Sequence, residues 1–197
     1  MKGLNIIIVG VGGQGVILAS NLLAAAALTA GYDVKKTDTL GMAQRGGSVI
    51  SHLRYSNAVD SPLIPQGEAD VLLAFEKLEA ARWVHFLKPD GVAVVNELAL
   101  PPLSVTLDMD AYPTDKEIAQ IMARITPSFF LINGTATAAK LGNPKMVNTV
   151  MLGFSVKFLE IDAEHLQKTI ESALPQKLRQ ANLAAFQAGQ NLSPLKI

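Results

Sequence analysis

A short run of β-branched residues, Ile6-Ile7-Ile8-Val9, meets a glycine-rich turn, Gly10-Val11-Gly12-Gly13-Gln14-Gly15. The turn opens onto a largely apolar stretch from Val16 to Ala30 that Gly31 stops. The first run has the length and residue types of a strand covered on both faces. The second is too long for a strand, and glycine is a common helix terminator. A buried strand turning directly into a buried helix is the opening unit of an α/β sandwich. A helix apolar on nearly every side must lie between the sheet and a second layer or another subunit.

Further along, strand and helix signals alternate. Asp33 to Thr37 is a second strand. Ser48 to Tyr55 is a third, with Val49, Ser51, Leu53 and Tyr55 on one face and Ile50, His52 and Arg54 on the other. Ala69 to Phe75 reads as a buried parallel strand and Lys77 to Leu87 as a helix. Lys88-Pro89-Asp90-Gly91 has turn chemistry, and Val92 to Asn96 is the next strand. The stretch from Glu97 to Thr114, with Pro101, Pro102 and Pro113, is irregular apart from a possible strand at Ser104 to Leu107. Asp115 to Ile125 is helical and Phe129 to Asn133 is a last core strand. From Thr135 on everything reads as helix: Lys145 to Phe158 after Asn143-Pro144, Ala163 to Ala173 capped by Asp162, and a final one starting at Pro175. These signals predict one three-layer α/β/α domain over residues 1–197, with a mostly parallel sheet and a Rossmann-like glycine first turn. Residues 1–134 would form the α/β core and 135–197 a helical C-terminal extension.

Composition narrows the function. The 197 residues carry 17 Lys+Arg against 17 Asp+Glu, so no general basic footprint points to nucleic acid or to an acidic membrane surface. The first apolar run is far too short to span a bilayer, and a cytoplasmic protein is expected. Charged residues make up only 17% against 49% hydrophobic, which suggests that a partner covers part of the surface; a homodimer of the isolated chain is expected. There are no cysteines, so disulfides, a zinc–thiolate site, a Cys nucleophile and a thiolate-held iron–sulfur cluster are all excluded on this chain. His52, His85 and His165 are dispersed with no ligand-spaced neighbour, and no metal site is expected.

The spacing Gly10, Gly12, Gly15 meets the dinucleotide fingerprint, and amides at the helix start point at whatever anion sits above them. The acid expected about twenty residues later is replaced by Lys35-Lys36, with Asp38 late. A self-sufficient NAD(P)-binding oxidoreductase and a tight turn that only packs helix on sheet both remain open on this pattern. A second cluster, Gln44-Arg45-Gly46-Gly47-Ser48, precedes the third strand. Its arginine offers a rigid fork of donors and its glutamine a donor and an acceptor. Following the second strand, it can line one crevice with the first turn.

These residues resemble the gamma domain of pyruvate and other 2-oxoacid:ferredoxin oxidoreductases, closest to the beta subunit of indolepyruvate:ferredoxin oxidoreductases. The resemblance runs from Ile7 to about Gly189. It rests on Gly10 to Gly15, Gly41-Met42 with Gln44 to Val49, Ser61-Pro62-Leu63-Ile64-Pro65, Glu68-Ala69-Asp70 leading to Phe75-Glu76, and Tyr112-Pro113. Further markers are Leu141-Gly142-Asn143-Pro144, Asn148 before Met151-Leu152-Gly153, and Asn182 with Ala185-Phe186 and Gly189. Leu40 departs from it where many relatives carry a histidine, and Gln180 where an acid is common. The resemblance implies a cluster-free subunit of a complex that oxidatively decarboxylates a 2-oxoacid to an acyl-coenzyme A. An arylpyruvate such as indolepyruvate is the expected substrate, with pyruvate or 2-oxoglutarate as alternatives. Thiamine diphosphate and [4Fe-4S] clusters would sit on a large partner subunit and electrons would leave to ferredoxin. The candidate cofactor-facing residues here are Gly10, Gly12, Gly13, Gln14, Gly15, Gln44, Arg45, Gly46, Gly47 and Ser48, toward a phosphate of coenzyme A or another cofactor. No residue reads as a free-standing catalytic base.

Other polar residues have structural readings. Glu76 ends a strand where α/β ligands bind, and the helix-cap role is the simpler one. His52 fits a hydrogen-bonded structural histidine. Thr135 and Thr137 suit a helix start, and Trp83 and Phe86 a core. Asn148 either joins helix to loop or touches a partner.

Overall fold

The computed structural model describes residues 2–41, 46–107 and 109–195, without the side chain of Leu103. In chain order the elements are β1 (Leu4–Val11), α1 (Val16–Thr29), β2 (Asp33–Leu40), β3 (Ser48–Ser56), β4 (Ala69–Ala74) and α2 (Lys77–Trp83). Then come β5 (Leu87–Asn96), α3 (Leu103–Thr106), α4 (Asp115–Ala123), β6 (Ser128–Ile132), α5 (Gly134–Lys140), α6 (Val147–Ser155), α7 (Ala163–Ala173) and α8 (Gln176–Gln190).

The six strands form one sheet in the order β2-β3-β1-β4-β5-β6. β1, β4, β5 and β6 pair in parallel, as their unbroken apolar runs predict. β3 runs antiparallel to both of its neighbours, pairing its Tyr55 with Leu4 of β1 and its Ser56 with Asp33 of β2. The strand after α1 therefore does not return beside β1. It forms the edge of a hairpin whose second strand occupies that place.

Both faces of the sheet are buried. Ile6 and Ile8 of β1 point with Val49, Leu53 and Tyr55 of β3 into a core shared with α1, α6, α7 and α8. Ile7, Val9 and Ile50 point the other way, against Ala80 of α2, Val84 just beyond it, and Ile118 and Met122 of α4. The C-terminal helices thus complete one of the three layers, and Met151, Leu152, Leu166, Ala185 and Phe186 are inside the same core as α1.

Several local expectations are corrected. Ser104 to Leu107 is not a strand; the segment holds the short helix α3, where Val105 and Thr106 both donate backbone bonds to the Pro102 carbonyl. The helix expected from Lys77 to Leu87 ends at Trp83 and tightens into a 3₁₀ turn over Val84–Phe86. The Lys88 to Gly91 turn is absorbed into β5 as an irregularity: Ala69 faces Leu87, yet Val71 faces Val92. Asp162 precedes α7 without a side-chain capping bond. Asn143 does cap the 3₁₀ turn before α6, accepting from Lys145 N. No helix among the described residues is long and apolar enough to cross a membrane.

Candidate functional site

The first glycine turn lies at the C-terminal end of β1, where open α/β sheets receive ligands. Gly13 and Gly15 have φ of 106° and 82°, a region that side chains other than glycine resist. Gly15 also has no room: a Cβ there would lie 2.7 Å from Nδ2 of Asn148, a buried residue of α6. The turn is closed by its own residues, with Gln14 N donating to Val11 O at 3.1 Å. The helix ladder begins with Ala19 N to Gly15 O. Among the described residues, no backbone bond outside the sheet and helices is donated by the amides of Gly13, Gly15 or Val16. Those of Gly15 and Val16 belong to the N-cap and first residue of a 14-residue helix, at its positive end.

The second glycine cluster is brought against the first. Gly12 N donates to Gly47 O at 2.9 Å, and Gly41 N to Ser48 O at 3.1 Å, closing the β2–β3 hairpin over the turn. A pocket of about 420 Å³ lies between the first turn and the β2–β3 hairpin, lined by Val11, Gly12, Gly13, Gly15, Val16 and Ile17 on one side and by Leu40, Gly41 and Val49 on the other. Gln44 and Arg45 lie outside the described residues. Gly46 has φ of 80°, as a sharp turn there requires.

Two of the expected polar side chains turn inward. Gln14 Oε1 accepts from Val11 N at 2.7 Å and its Nε2 donates to Phe75 O at 3.2 Å, so its amide braces the turn against the end of β4. Ser48 Oγ donates to Glu79 Oε2 and accepts from Trp83 Nε1 at 3.3 Å. Among the described residues, the pocket is lined by the backbone of Gly12, Gly13, Gly15 and Gly41 and by the apolar residues Val11, Val16, Ile17, Leu40 and Val49.

Residues that sequence reasoning passed over frame this arrangement. Glu79, on α2 and only 2% exposed, binds Ser48, Arg82 at 2.6 Å and Trp83 at 3.2 Å. Nothing in its surroundings in the sequence marks it, because Ser48 is 31 positions away. Asn96, wholly buried, donates to Phe75 O at 3.1 Å and to Thr135 Oγ1 at 2.8 Å, while accepting from Thr135 N. Glu76 caps α2 by accepting from Glu79 N, and its other oxygen accepts from Leu100 N and the Tyr112 hydroxyl. Burial, reinforced by the bond to this carboxylate, pushes the Tyr112 phenol well above its usual range. His52 is structural: its Nδ1 accepts from Ile64 N at 3.2 Å, and burial holds its pKa below the usual value.

The geometry does not favour a self-sufficient dinucleotide reader. With β3 between β1 and β2, the end of β2 lies one strand further from the glycine turn than such a reader needs. Lys36 is also committed to Asp38 and Ser20, and Lys35 to Asp33. Among the described residues, no group of three or more His, Cys, Asp or Glu side chains is placed to hold a metal ion. Without cysteine the chain cannot itself ligate a thiolate-held cluster.

Comparison with known proteins agrees with this architecture. Residues 5–192 match the model of the pyruvate ferredoxin/flavodoxin oxidoreductase family. The chain is 38% identical over 192 residues to the indolepyruvate oxidoreductase subunit IorB of Pyrococcus horikoshii, covering 96% of this chain and 95% of that one. It is 38% identical over 190 residues to the IorB subunit of Archaeoglobus fulgidus, covering 95% and 94%. Among solved structures it resembles the keto/oxoacid ferredoxin oxidoreductase gamma subunit of Geobacter sulfurreducens PCA, with a TM-score of 0.68 and 26% identity over 94% of this chain and 95% of that one. A family match over nearly all of the described chain, relatives matched along almost their whole length and a shared sheet lead to one conclusion: the chain belongs to the pyruvate ferredoxin/flavodoxin oxidoreductase family.

Proposed function

We propose that this chain is the small, cluster-free subunit of a thiamine-diphosphate-dependent 2-oxoacid:ferredoxin oxidoreductase that converts an arylpyruvate such as indolepyruvate to its acyl-coenzyme A. A larger partner carries the thiamine diphosphate and [4Fe-4S] clusters and passes electrons to ferredoxin, in a cytoplasmic assembly. This chain contributes the pocket between the first glycine turn and the β2–β3 hairpin, which receives a phosphate of coenzyme A. The arylpyruvate assignment rests on the identity to IorB subunits, which exceeds the 28% to the 2-oxoglutarate synthase subunit KorC of Methanothermobacter marburgensis. The observation that carries the pocket's role is that Gly13, Gly15 and Val16, whose amides donate no described backbone bond outside the sheet and helices, line a cavity large enough for a phosphate group at the start of α1. Bound coenzyme A supplies the thiol that accepts the acyl group; the chain's own part is to hold and orient its anionic portion.

The test uses the complex assembled with its large partner. Ile17 lines the pocket and is 36% exposed, so Ile17→Glu adds a negative charge beside the amides without emptying the core. The apparent KM for coenzyme A should rise about tenfold or more, with the KM for the 2-oxoacid unchanged and Ile17→Gln close to wild type. A coenzyme A KM indifferent to Ile17→Glu would remove coenzyme A from this pocket. Turnover of 2-oxoglutarate in preference to indolepyruvate would overturn the substrate assignment.

A further inference from the structure

The wall between the glycine pocket and its neighbour is thin and held from behind. Val11 lines both the pocket described above and a second cavity of about 210 Å³, which is also bounded by Gly46, Glu76, Glu79, Arg82 and Leu100. The backbone from Gly46 to Val49 runs beside this shared residue, with Gly46 lining the smaller cavity and Val49 the larger. Beyond the β1–β3 ladder, in which Ser48 faces Val11, this backbone is anchored to the first turn by Gly12 N to Gly47 O at 2.9 Å. Ser48 Oγ is in turn bound to the Glu79 carboxylate, and the Trp83 indole N–H bridges the two, 3.3 Å from Ser48 Oγ and 3.2 Å from Glu79 Oε2.

Glu79 is a costly residue to bury at 2% exposure unless its oxygens are satisfied. Both are: Oε1 takes the Arg82 guanidinium at 2.6 Å, which leaves Oε2 for Ser48 and Trp83. Arg82 and Trp83 follow Glu79 by three and four positions on α2, so one helical face presents carboxylate, cation and indole together. A hydroxyl bound to a carboxylate is a stronger tether than one bound to a neutral acceptor. The tether acts on the residue next to Gly47, whose carbonyl occupies the Gly12 amide. If this backbone moves away from the turn, the pocket changes width and the Gly12 amide is released into it.

We propose that Glu79 is a positioning residue of this pocket: acting through Ser48, it holds Gly47 against Gly12 and so fixes the pocket's width for the phosphate-bearing part of coenzyme A. This rests on the reading of the pocket given under Proposed function. The glycine-rich hairpin thereby gains rigidity from α2, an element that does not line the pocket itself. The experiment measures steady-state kinetics of the complex assembled with its large partner, carrying Ser48→Ala, Ser48→Thr, Glu79→Gln or Ile17→Glu. Ser48→Ala removes the tether and leaves the Glu79–Arg82 pair in place. It should raise the coenzyme A KM about tenfold with kcat and the 2-oxoacid KM unchanged. Ser48→Thr keeps the hydroxyl and should restore the wild-type value. Glu79→Gln keeps an acceptor for Ser48 but loses the charge, and should fall between the two. In the isolated chain, Ser48→Ala should speed amide exchange of Gly12 about tenfold while Leu72 and Leu73 of β4 keep their protection. Ser48→Ala with an unchanged coenzyme A KM, while Ile17→Glu raises it, would overturn the positioning role and leave the pocket assignment standing. No effect from either would overturn the pocket assignment itself. Loss of kcat and of both KM values together, or no rescue by threonine, would make Glu79 a residue of the fold alone.

Discussion

The side-chain amides of Gln14 and Asn96 donate to one acceptor, the carbonyl of Phe75 at the end of β4, at 3.2 and 3.1 Å. Through this carbonyl the β1–α1 turn is tied to the β6–α5 junction, since Asn96 also holds Thr135 by its backbone amide and hydroxyl. Gln14→Ala would leave Val11 N without its acceptor but Phe75 O still paired with Asn96. Asn96→Ala would leave Phe75 O paired with Gln14 but strip both Thr135 N and Thr135 Oγ1 of their partner. Each buried donor left unpaired costs about 1–3 kcal/mol. Urea unfolding should therefore show Gln14→Ala losing about 1–3 kcal/mol and Asn96→Ala losing more. An Asn96→Ala as stable as Gln14→Ala would mean that the Thr135 bonds contribute nothing.

Gly13 and Gly15 should separate backbone strain from steric exclusion. Both have positive φ, but a Cβ on Gly13 meets nothing within 4 Å, while one on Gly15 meets Asn148 Nδ2 at 2.7 Å. Gly13→Ala should cost about 1–2 kcal/mol from backbone strain alone. Gly15→Ala should cost more, and adding Asn148→Ala should recover part of the excess. Thermal unfolding of the two single variants and the double variant measures this; equal losses at Gly13 and Gly15 would rule out the contact with Asn148.

How far the sequence reaches depends on how local each feature is. The bounds of α7, Ala163–Ala173, are readable because Asp162 and Leu174-Pro175 punctuate them. The alternation in β3 correctly sorts Val49, Leu53 and Tyr55 from Ile50. It says nothing of which strand lies alongside, and the insertion of β3 between β1 and β2 is invisible until Leu4 meets Tyr55 and Asp33 meets Ser56. Val105 and Thr106 are β-branched and read as strand, yet no neighbouring strand reaches them and α3 forms after the prolines. The candidate site divides in the same way. The juxtaposition of Gly12 and Gly47 follows from topology. The inward turn of Gln14 and Ser48 does not, because a donor's chemistry does not say whether a ligand, Phe75 O or Glu79 will be nearest.

Stability should fall as His52 is protonated. Burial lowers its folded pKa below the ordinary 6.5, so the unfolded chain binds the proton more readily than the folded one. The contribution is fully present above pH 6.5 and is lost as pH falls from there through the lower folded pKa. Protonation also removes the lone pair on Nδ1 that accepts from Ile64 N at 3.2 Å. The urea midpoint should drop across this window in the wild type, and the drop should shrink in His52→Gln. An identical slope in both proteins would assign the pH dependence to carboxylates instead.

The crossing of α6 and α8 leaves no space for a side chain at either glycine. A Cβ on Gly153 would lie 2.1 Å from Phe186 O, and one on Gly189 2.0 Å from Val150 O. Neither contact can be relieved by rotating a side chain, because both atoms are backbone. Overpacking of this kind typically costs about 1–3 kcal/mol. Gly153→Ala and Gly189→Ala should each reach at least the upper end of that range. Since both force the same two helices apart, the double variant should cost less than the sum. Additive losses, measured by chemical unfolding, would show that the two contacts are independent.

Glu76 should control the segment between β5 and α4. One carboxylate oxygen caps α2 through Glu79 N at 2.9 Å; the other holds Leu100 N at 2.9 Å together with the Tyr112 hydroxyl. These two residues fasten an irregular stretch of which Leu100, Leu107 and Met109 are exposed, so little apolar burial supports it otherwise. Glu76→Gln puts an NH₂ in place of one acceptor oxygen, and the donors that oxygen served then face a donor. If the amide nitrogen turns toward Glu79 N, the cap fails and Leu100 stays bound; if it turns toward Leu100 and Tyr112, the segment is released. A lost cap costs about 1 kcal/mol, whereas the other position serves two donors, each bond to a neutral acceptor being worth about 0.5–1.5 kcal/mol. The side chain should therefore sacrifice the cap, with a modest fall in stability and an intact segment. Glu76→Ala loses both and should be cleaved within residues 97–114 by limited proteolysis far faster than the wild type. Tyr112→Phe, which removes one of the two bonds to that oxygen, should be cleaved at an intermediate rate. Cleavage of Glu76→Ala at the wild-type rate would show that the segment is held by contacts other than this carboxylate.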